Sequence, residues 1–213
     1  MAQAQFPEAR VIASRVHGFF ELVDDLVRHV GVVASLELGA IGPDPEAVAQ
    51  KVAELFNRSG IEARCATDIE ASLWSKFLLA ASLGGVALAC GLSAGEVPRD
   101  PRAKAMLAAA MAEVRDLAAA EGIDLPADIV ENTLAFAANF PANATTSLQR
   151  DVMSGRPSEY GFLPGAVLRI GRKLSIRTPC FDHVDRLVAS RLAGLRRTEI
   201  LPALIRNLPD QCL

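Results

Sequence analysis

The chain has 213 residues, of which 51% are hydrophobic and only 5% aromatic. It is long enough to bury a core of its own, and an apolar fraction made mainly of Ala, Leu and Val favours packed helices over sandwiched sheets. A formal net charge of -3 and a pI near 5.7 give no drive toward nucleic-acid phosphates or anionic membrane surfaces, so neither is an expected partner. Cys65, Cys90, Cys180 and Cys212 stand far apart with no paired spacing, which fits reduced thiols in a cytoplasmic setting and no metal site.

The opening Met-Ala-Gln-Ala-Gln-Phe-Pro lacks a basic-then-apolar pattern and reads as neither anchor nor export signal. Residues 10–15 and 26–38 are rich in Val and Ile, with Gly18, Gly31 and Gly39 as punctuation, and predict short strands. Pro43 and Pro45 open a helix over 46–57, where Val48, Val52, Leu55 and Phe56 fall at helical spacing; Gly60 stops it, and 61–65 is a further strand.

Beyond residue 66 the strand signals nearly vanish. Thr67-Asp68-Ile69-Glu70 matches a capping box, and helices are predicted over roughly 68–90, 101–121, 126–138, 145–154, 158–174 and 180–196. Asp100-Pro101 and Gly122 bracket the second of these, Gly155-Arg156-Pro157 separates the fourth from the fifth, and Pro164 should kink or divide the fifth. The apolar run over 77–90 contains Gly84 and Gly85 and falls short of the ~20 residues that span a bilayer, so it reads as a buried helix. The domains expected are 1–66, 67–196 and a tail over 197–213, whose apolar residues suit a short amphipathic helix that Pro202 and Pro209 oppose.

Lys76 is a lone lysine in an apolar helix, and helical spacing puts Ala80 and Gly84 on its face. That bare strip is either a groove for a small molecule or a close helix crossing, with the lysine snorkelling to solvent. Ser147 and Asp151 lie one turn apart; Asp151 is otherwise a solvated charge or a partner for Arg150 or Arg156. Glu159 stands at a helix start, where the dipole alone favours a carboxylate. Together an ammonium, a hydroxyl and a carboxylate suit a small 2-oxo acid, since a lysine can protonate a carbonyl oxygen that receives hydride while hydroxyl donors orient the substrate carboxylate.

The ordered set Asp68-Ile69, Leu73-Trp74-x-Lys76-Phe77, Met111-x-Glu113-Val114, Ala119-x-x-Gly122-Ile123, Ser147-Leu148-Gln149-x-Asp151, Gly155-Arg156-Pro157-x-Glu159, Gly165, Gly171 and Thr178-Pro179 resembles the C-terminal domain of ketopantoate reductases over roughly 67–188. Phe6-Pro7, Val11-Ile12, His29-x-Gly31 and Glu37-Leu38-Gly39 are similar to the last strands of that family's nucleotide-binding domain. The resemblance implies a mainly α protein: an all-helical C-terminal domain of the 6-phosphogluconate dehydrogenase C-terminal-like type, preceded by a truncated α/β, partial Rossmann segment. It implies Lys76 and Glu159 as catalytic, the lysine as general acid and the glutamate as the acidic residue holding substrate and lysine, and Ser147 and Asp151 as substrate-binding, the serine on the substrate carboxylate and the aspartate beside it in the same motif. It further implies NADPH as cofactor, a 2-oxo acid such as ketopantoate as substrate, a place in pantothenate biosynthesis, and a homodimer.

Two departures qualify this. Ala80, Gly84 and Ala144 stand where family members that reduce ketopantoate carry asparagines, which puts the identity of the oxo acid in doubt. No Gly-x-Gly-x-x-Gly turn is present to seat a pyrophosphate, so the chain alone is expected to bind NADPH poorly. The alternative is a non-catalytic helical module that self-associates, with Ala108, Ala109, Ala110 and Ala112 permitting close helix crossings.

Overall fold

The computed structural model describes residues 11–41 and 46–196; the expectations for Phe6-Pro7, for Pro43 and Pro45 and for the tail from 197 lie outside them. β1 (Val11–Val23) and β2 (Leu26–Ile41) pair antiparallel. They are joined at Asp24-Asp25, both with positive φ (48° and 62°), a conformation Asp tolerates because its short carboxylate can bond locally. β1 runs well past the predicted 10–15, since the hairpin lets Phe19 and Phe20 continue the ladder opposite Val30 and His29, while β2 extends the predicted 26–38 by three residues. The register shifts once, between His17 and Phe19, at Gly18 with φ 128°, and the resulting bulge bends β1.

α1 (Glu46–Arg58) ends at Gly60, whose φ of 81° is the left-handed stop expected there. β3 (Glu62–Cys65) then returns parallel to β2, giving the order β1-β2-β3. Asn57 ties the helix end to this strand, donating from Nδ2 to the carbonyls of Ala53 (2.9 Å) and Ala63 (2.7 Å) and accepting from the Ala63 amide (3.0 Å). Leu38, Ala53 and Ala63 form the buried centre, with Ile12, Leu36, Val52 and Phe56 packed against it.

The rest is helical. α2 is Ile69–Cys90, α3 Pro101–Ala120, α4 Ile129–Ala138 and α5 Ser147–Met153. A 3-10 turn over Glu159–Phe162 leads to α6, Pro164–Leu174, and α7, Pro179–Arg196. The predicted helix over 158–174 is thus divided, with Pro164 at the first position of α6, where its missing N–H costs nothing. The start of α2 is capped one residue later than expected: the Ala71 amide donates to Asp68 Oδ1 (2.9 Å), so Asp68 and not Thr67 caps the helix. The reciprocal capping box occurs instead at α5, between Thr146 and Gln149.

The chain divides into two compact units between Lys76 and Phe77, within α2. The first turns of that helix belong with the sheet: a Cβ on Gly39 of β2 would lie 2.3 Å from Ile69 Cβ, so only glycine allows that approach. In the second unit α3 packs against α4, α6 and α7. Leu78, Leu83, Leu107, Met111, Leu117 and Phe181 are fully buried, each worth roughly 2 kcal/mol by area removed from water. α2, at 22 residues and mean hydropathy 1.6, is long and apolar enough to cross a bilayer, more than its 77–90 run suggests. Residues 81–89 are nonetheless all buried, and Gly85 packs against Pro164 and Val184 of the same unit, as in a core helix.

Candidate functional site

Lys76 is exposed and closes the first unit; its Nζ donates to the Val16 carbonyl (3.1 Å), just before the Gly18 bulge. Around it lies a charge network that the strand signals concealed. Arg15, Glu37 and Arg64 are register partners across β1, β2 and β3. Glu37 Oε1 accepts from Arg64 Nε (3.1 Å) and Nη2 (2.5 Å), while Oε2 faces His17 Nε2 (3.2 Å) and Arg15 Nη1 (3.6 Å) and accepts from the Ser72 hydroxyl. Arg15 Nη1 also donates to Ser72 Oγ (3.1 Å). Burial opposes the charge on Glu37, yet the bonds from Ser72, Arg64 and His17 outweigh it and hold the carboxyl down at about 2. Burial lowers the Arg15 guanidinium.

The other three predicted residues belong to the second unit. Ser147 is the first residue of α5 and is exposed, its neighbours Thr146 and Gln149 having taken up the capping bonds. Gln149 is buried and donates from Nε2 to the Leu92 carbonyl (2.8 Å), which fixes α5 to the end of α2. Asp151, one turn on, is engaged by Arg156, whose Nε (3.0 Å) and Nη2 (2.9 Å) both donate to Oδ1. Arg150 turns away, to the carbonyl and hydroxyl of Thr145. Glu159 is exposed and opens the 3-10 turn. That turn is pinned from below: the Tyr160 hydroxyl donates to Asp185 Oδ1 (3.0 Å) and Arg169 Nη1 donates to the Gly161 carbonyl (2.6 Å). Burial and the charge of Asp185 push the Tyr160 phenol upward.

The strip of small residues beyond Lys76 is a close crossing at its far end. A Cβ on Gly84 would stand 2.9 Å from Leu148 Cδ2, so α5 rests directly on α2 there. The residues between the helices are equally tightly laced. Ser93 Oγ donates to the Ala142 carbonyl, the Gly95 amide to Ala144 O (3.2 Å), and Arg99 Nη2 to Phe140 O (2.9 Å). Ala144 therefore contributes its backbone to the clasp that sets the start of α5.

Glu113, quoted in the motif set without a role, accepts from the amides of Cys180 (2.6 Å) and Phe181 (3.0 Å) and so caps α7. Burial nevertheless keeps its carboxyl above the usual range, and burial beside Glu113 pushes the Cys180 thiol up to about 11. Among the described residues no group of three potential ligands could hold a metal. Nor is there a cradle for a pyrophosphate among them: Gly18, Gly31 and Gly39 lie in strands and Gly60 follows α1, so none precedes a helix N-terminus whose amides could seat one.

Comparison with known proteins gives the chain a family. The family described as ketopantoate reductase PanE/ApbA C terminal matches residues 68–191, and the chain belongs to that family. A curated relative, the 2-dehydropantoate 2-reductase of Pyrobaculum aerophilum, is 29% identical over 69% of this chain and 52% of its own length. The chain thus spans about half the length of the curated relatives it matches. The crystal structure of 2-dehydropantoate 2-reductase from Methylococcus capsulatus superposes with a TM-score of 0.77 at 27% identity, over 94% of this chain and 63% of that one. A D-mandelate dehydrogenase solved with NADH gives 0.75 at 25% identity, over 86% and 63%.

Proposed function

We propose that this chain is the substrate side of a nicotinamide-dependent 2-oxo acid reductase, with Lys76 as its general acid. The observation that carries the reading is the family match over 68–191, a stretch that contains Lys76, Ser147, Asp151 and Glu159. A nicotinamide, when bound, would supply the hydride for the carbonyl carbon. NADPH is the expected form, and a relative binding NADH makes both worth assaying. Because the described residues do not fit a dinucleotide's pyrophosphate, no residue of this chain is assigned to holding it.

What the chain's own residues do follows from their chemistry. The Lys76 ammonium gives a proton to the carbonyl oxygen as negative charge develops there, leaving a neutral amine and a hydroxyl group. The exposed Ser147 hydroxyl donates to the substrate carboxylate. Glu159, also exposed, is available to accept a hydrogen bond from a hydroxyl of the substrate. Asp151 acts through Arg156, keeping the segment that enters the 3-10 turn in place. The substrate is ketopantoate or a related 2-oxo acid. The working form is a cytoplasmic homodimer, a setting with which the thiols of Cys90 and Cys180, not joined in a disulfide, agree. No observation favours a purely self-associating module, because Ala110, one of its proposed contact residues, is buried inside the unit.

The test is turnover. The chain is joined behind a nucleotide-binding segment from a matched relative, and oxidation of NADPH or NADH is followed with a panel of 2-oxo acids. Consumption that depends on the oxo acid is expected, and Ser147→Ala should raise KM about tenfold, as for loss of one charge-assisted hydrogen bond. A folded fusion inert toward every acid in the panel would remove the reading.

A further inference from the structure

We propose that Glu37 is a positioning residue for Lys76, holding β1 against the first turns of α2 so that the Val16 carbonyl receives the lysine's ammonium. This rests on the reading of Lys76 given above, but its structural part stands apart from catalysis.

The geometry points in one direction. Side chains alternate along a strand, so Arg15 and His17 leave the same face of β1, and both converge on Glu37 Oε2, at 3.6 Å and 3.2 Å. The residue between them, Val16, offers its carbonyl to Lys76 Nζ at 3.1 Å. On the helix, Ser72 is one turn before Lys76 and therefore on its face. Ser72 bonds to both Glu37 and Arg15. One carboxylate thus fastens the two residues that flank the lysine's acceptor and the residue one turn below the lysine itself. Arg64 anchors the same carboxylate from β3.

A simple staple between sheet and helix would not need this convergence. The neighbouring Gly18 bulge breaks the regular ladder at the point where the carbonyl must be presented. The tethers on either side of Val16 add to the ladder that pairs Val16 with Leu36 and His17 with Ser35, and they restrict a lysine side chain that otherwise has many rotamers to explore. The side chain of Glu37 is only 12% exposed, so its bonds are little screened by solvent.

Two measurements test this. In the full chain, nuclear Overhauser contacts between the Lys76 methylenes and the backbone of Val16 and His17 are recorded for wild type, Glu37→Gln, Ser72→Ala and Ser72→Thr. The contacts should be lost in the first two variants and return in Ser72→Thr, which restores the hydroxyl; Ser72→Ala carries the test if Glu37→Gln fails to fold. In the fusion with a nucleotide-binding segment, Ser72→Ala should lower kcat about tenfold with KM within twofold of wild type. Retained contacts in folded Ser72→Ala overturn the positioning role, as does unchanged kcat in that variant alongside an inactive Lys76→Ala. Full activity in Lys76→Ala would instead remove the catalytic reading, and the Overhauser contacts then decide the positioning role alone.

Discussion

Glu37 shows how one buried carboxylate shapes the acid response of the first unit. Its folded-state value of about 2 lies below the ordinary 4.5, so the stability it contributes is fully present above 4.5 and is lost as pH falls through the window from 4.5 toward 2. At roughly 1.4 kcal/mol per tenfold change in proton affinity, the contribution is on the order of 3 kcal/mol. Glu37→Gln should lower stability at pH 7 and flatten its fall below pH 4.5, as read by urea unfolding across that range. An unchanged acid limb would show that Arg15, His17 and Arg64 are exposed ion pairs of little worth. At Gly95 the constraint is steric: an added Cβ would stand 1.8 Å from the Pro141 carbonyl oxygen, which is backbone and cannot swing aside. Gly95→Ala should therefore cost about 3 kcal/mol, seen as a lower urea midpoint, and it should disturb the clasp that sets α5.

The elements themselves were largely readable, and the reasons are specific. Asp100-Pro101 opens α3 because Asp100 Oδ1 accepts from the amides of Arg102 and Ala103 and proline needs no donor. Pro164 splits the fifth predicted helix for the same reason. The hairpin was underestimated because Asp24-Asp25 is a weaker turn signal than a glycine pair, although both residues adopt the required positive φ. The cap of α2 is Asp68 and not Thr67, two adjacent residues that both suit the role, so the sequence alone does not decide between them. Ser175 ends α6 with φ 57°, a role in which glycine is the usual signal. The candidates proposed for the site, Lys76, Ser147, Asp151 and Glu159, are legible in the sequence, but the groups that hold them are not. Arg15 and Glu37 each stand alone among apolar strand residues and Arg64 lies in the short strand over 61–65, so only the strand register makes the three neighbours; single charges in successive strands are the available signal. The Tyr160 hydroxyl, which no sequence motif marks, pins the turn that begins with Glu159. Tyr160→Phe should cost about 1 kcal/mol in thermal unfolding; no loss would mean the turn is held by Arg169 alone.

Across the whole molecule, family membership rests on the match to residues 68–191, while the sheet before it carries no seat for a dinucleotide among the described residues. The 213-residue chain titrated with NADPH should therefore show no saturable binding below the millimolar range, and a micromolar affinity would mean the cofactor is held by groups not recognised above. The central claim concerns the proton and not the cofactor. It is tested most directly by the turnover of Lys76→Ala in the fusion that restores a nucleotide-binding segment, with a 2-oxo acid on which the unsubstituted fusion is active. Loss of a positioned general acid should lower kcat at least a hundredfold, with little change in the fold. Turnover equal to that of the unsubstituted fusion would contradict the assignment of Lys76 as the group that protonates the substrate.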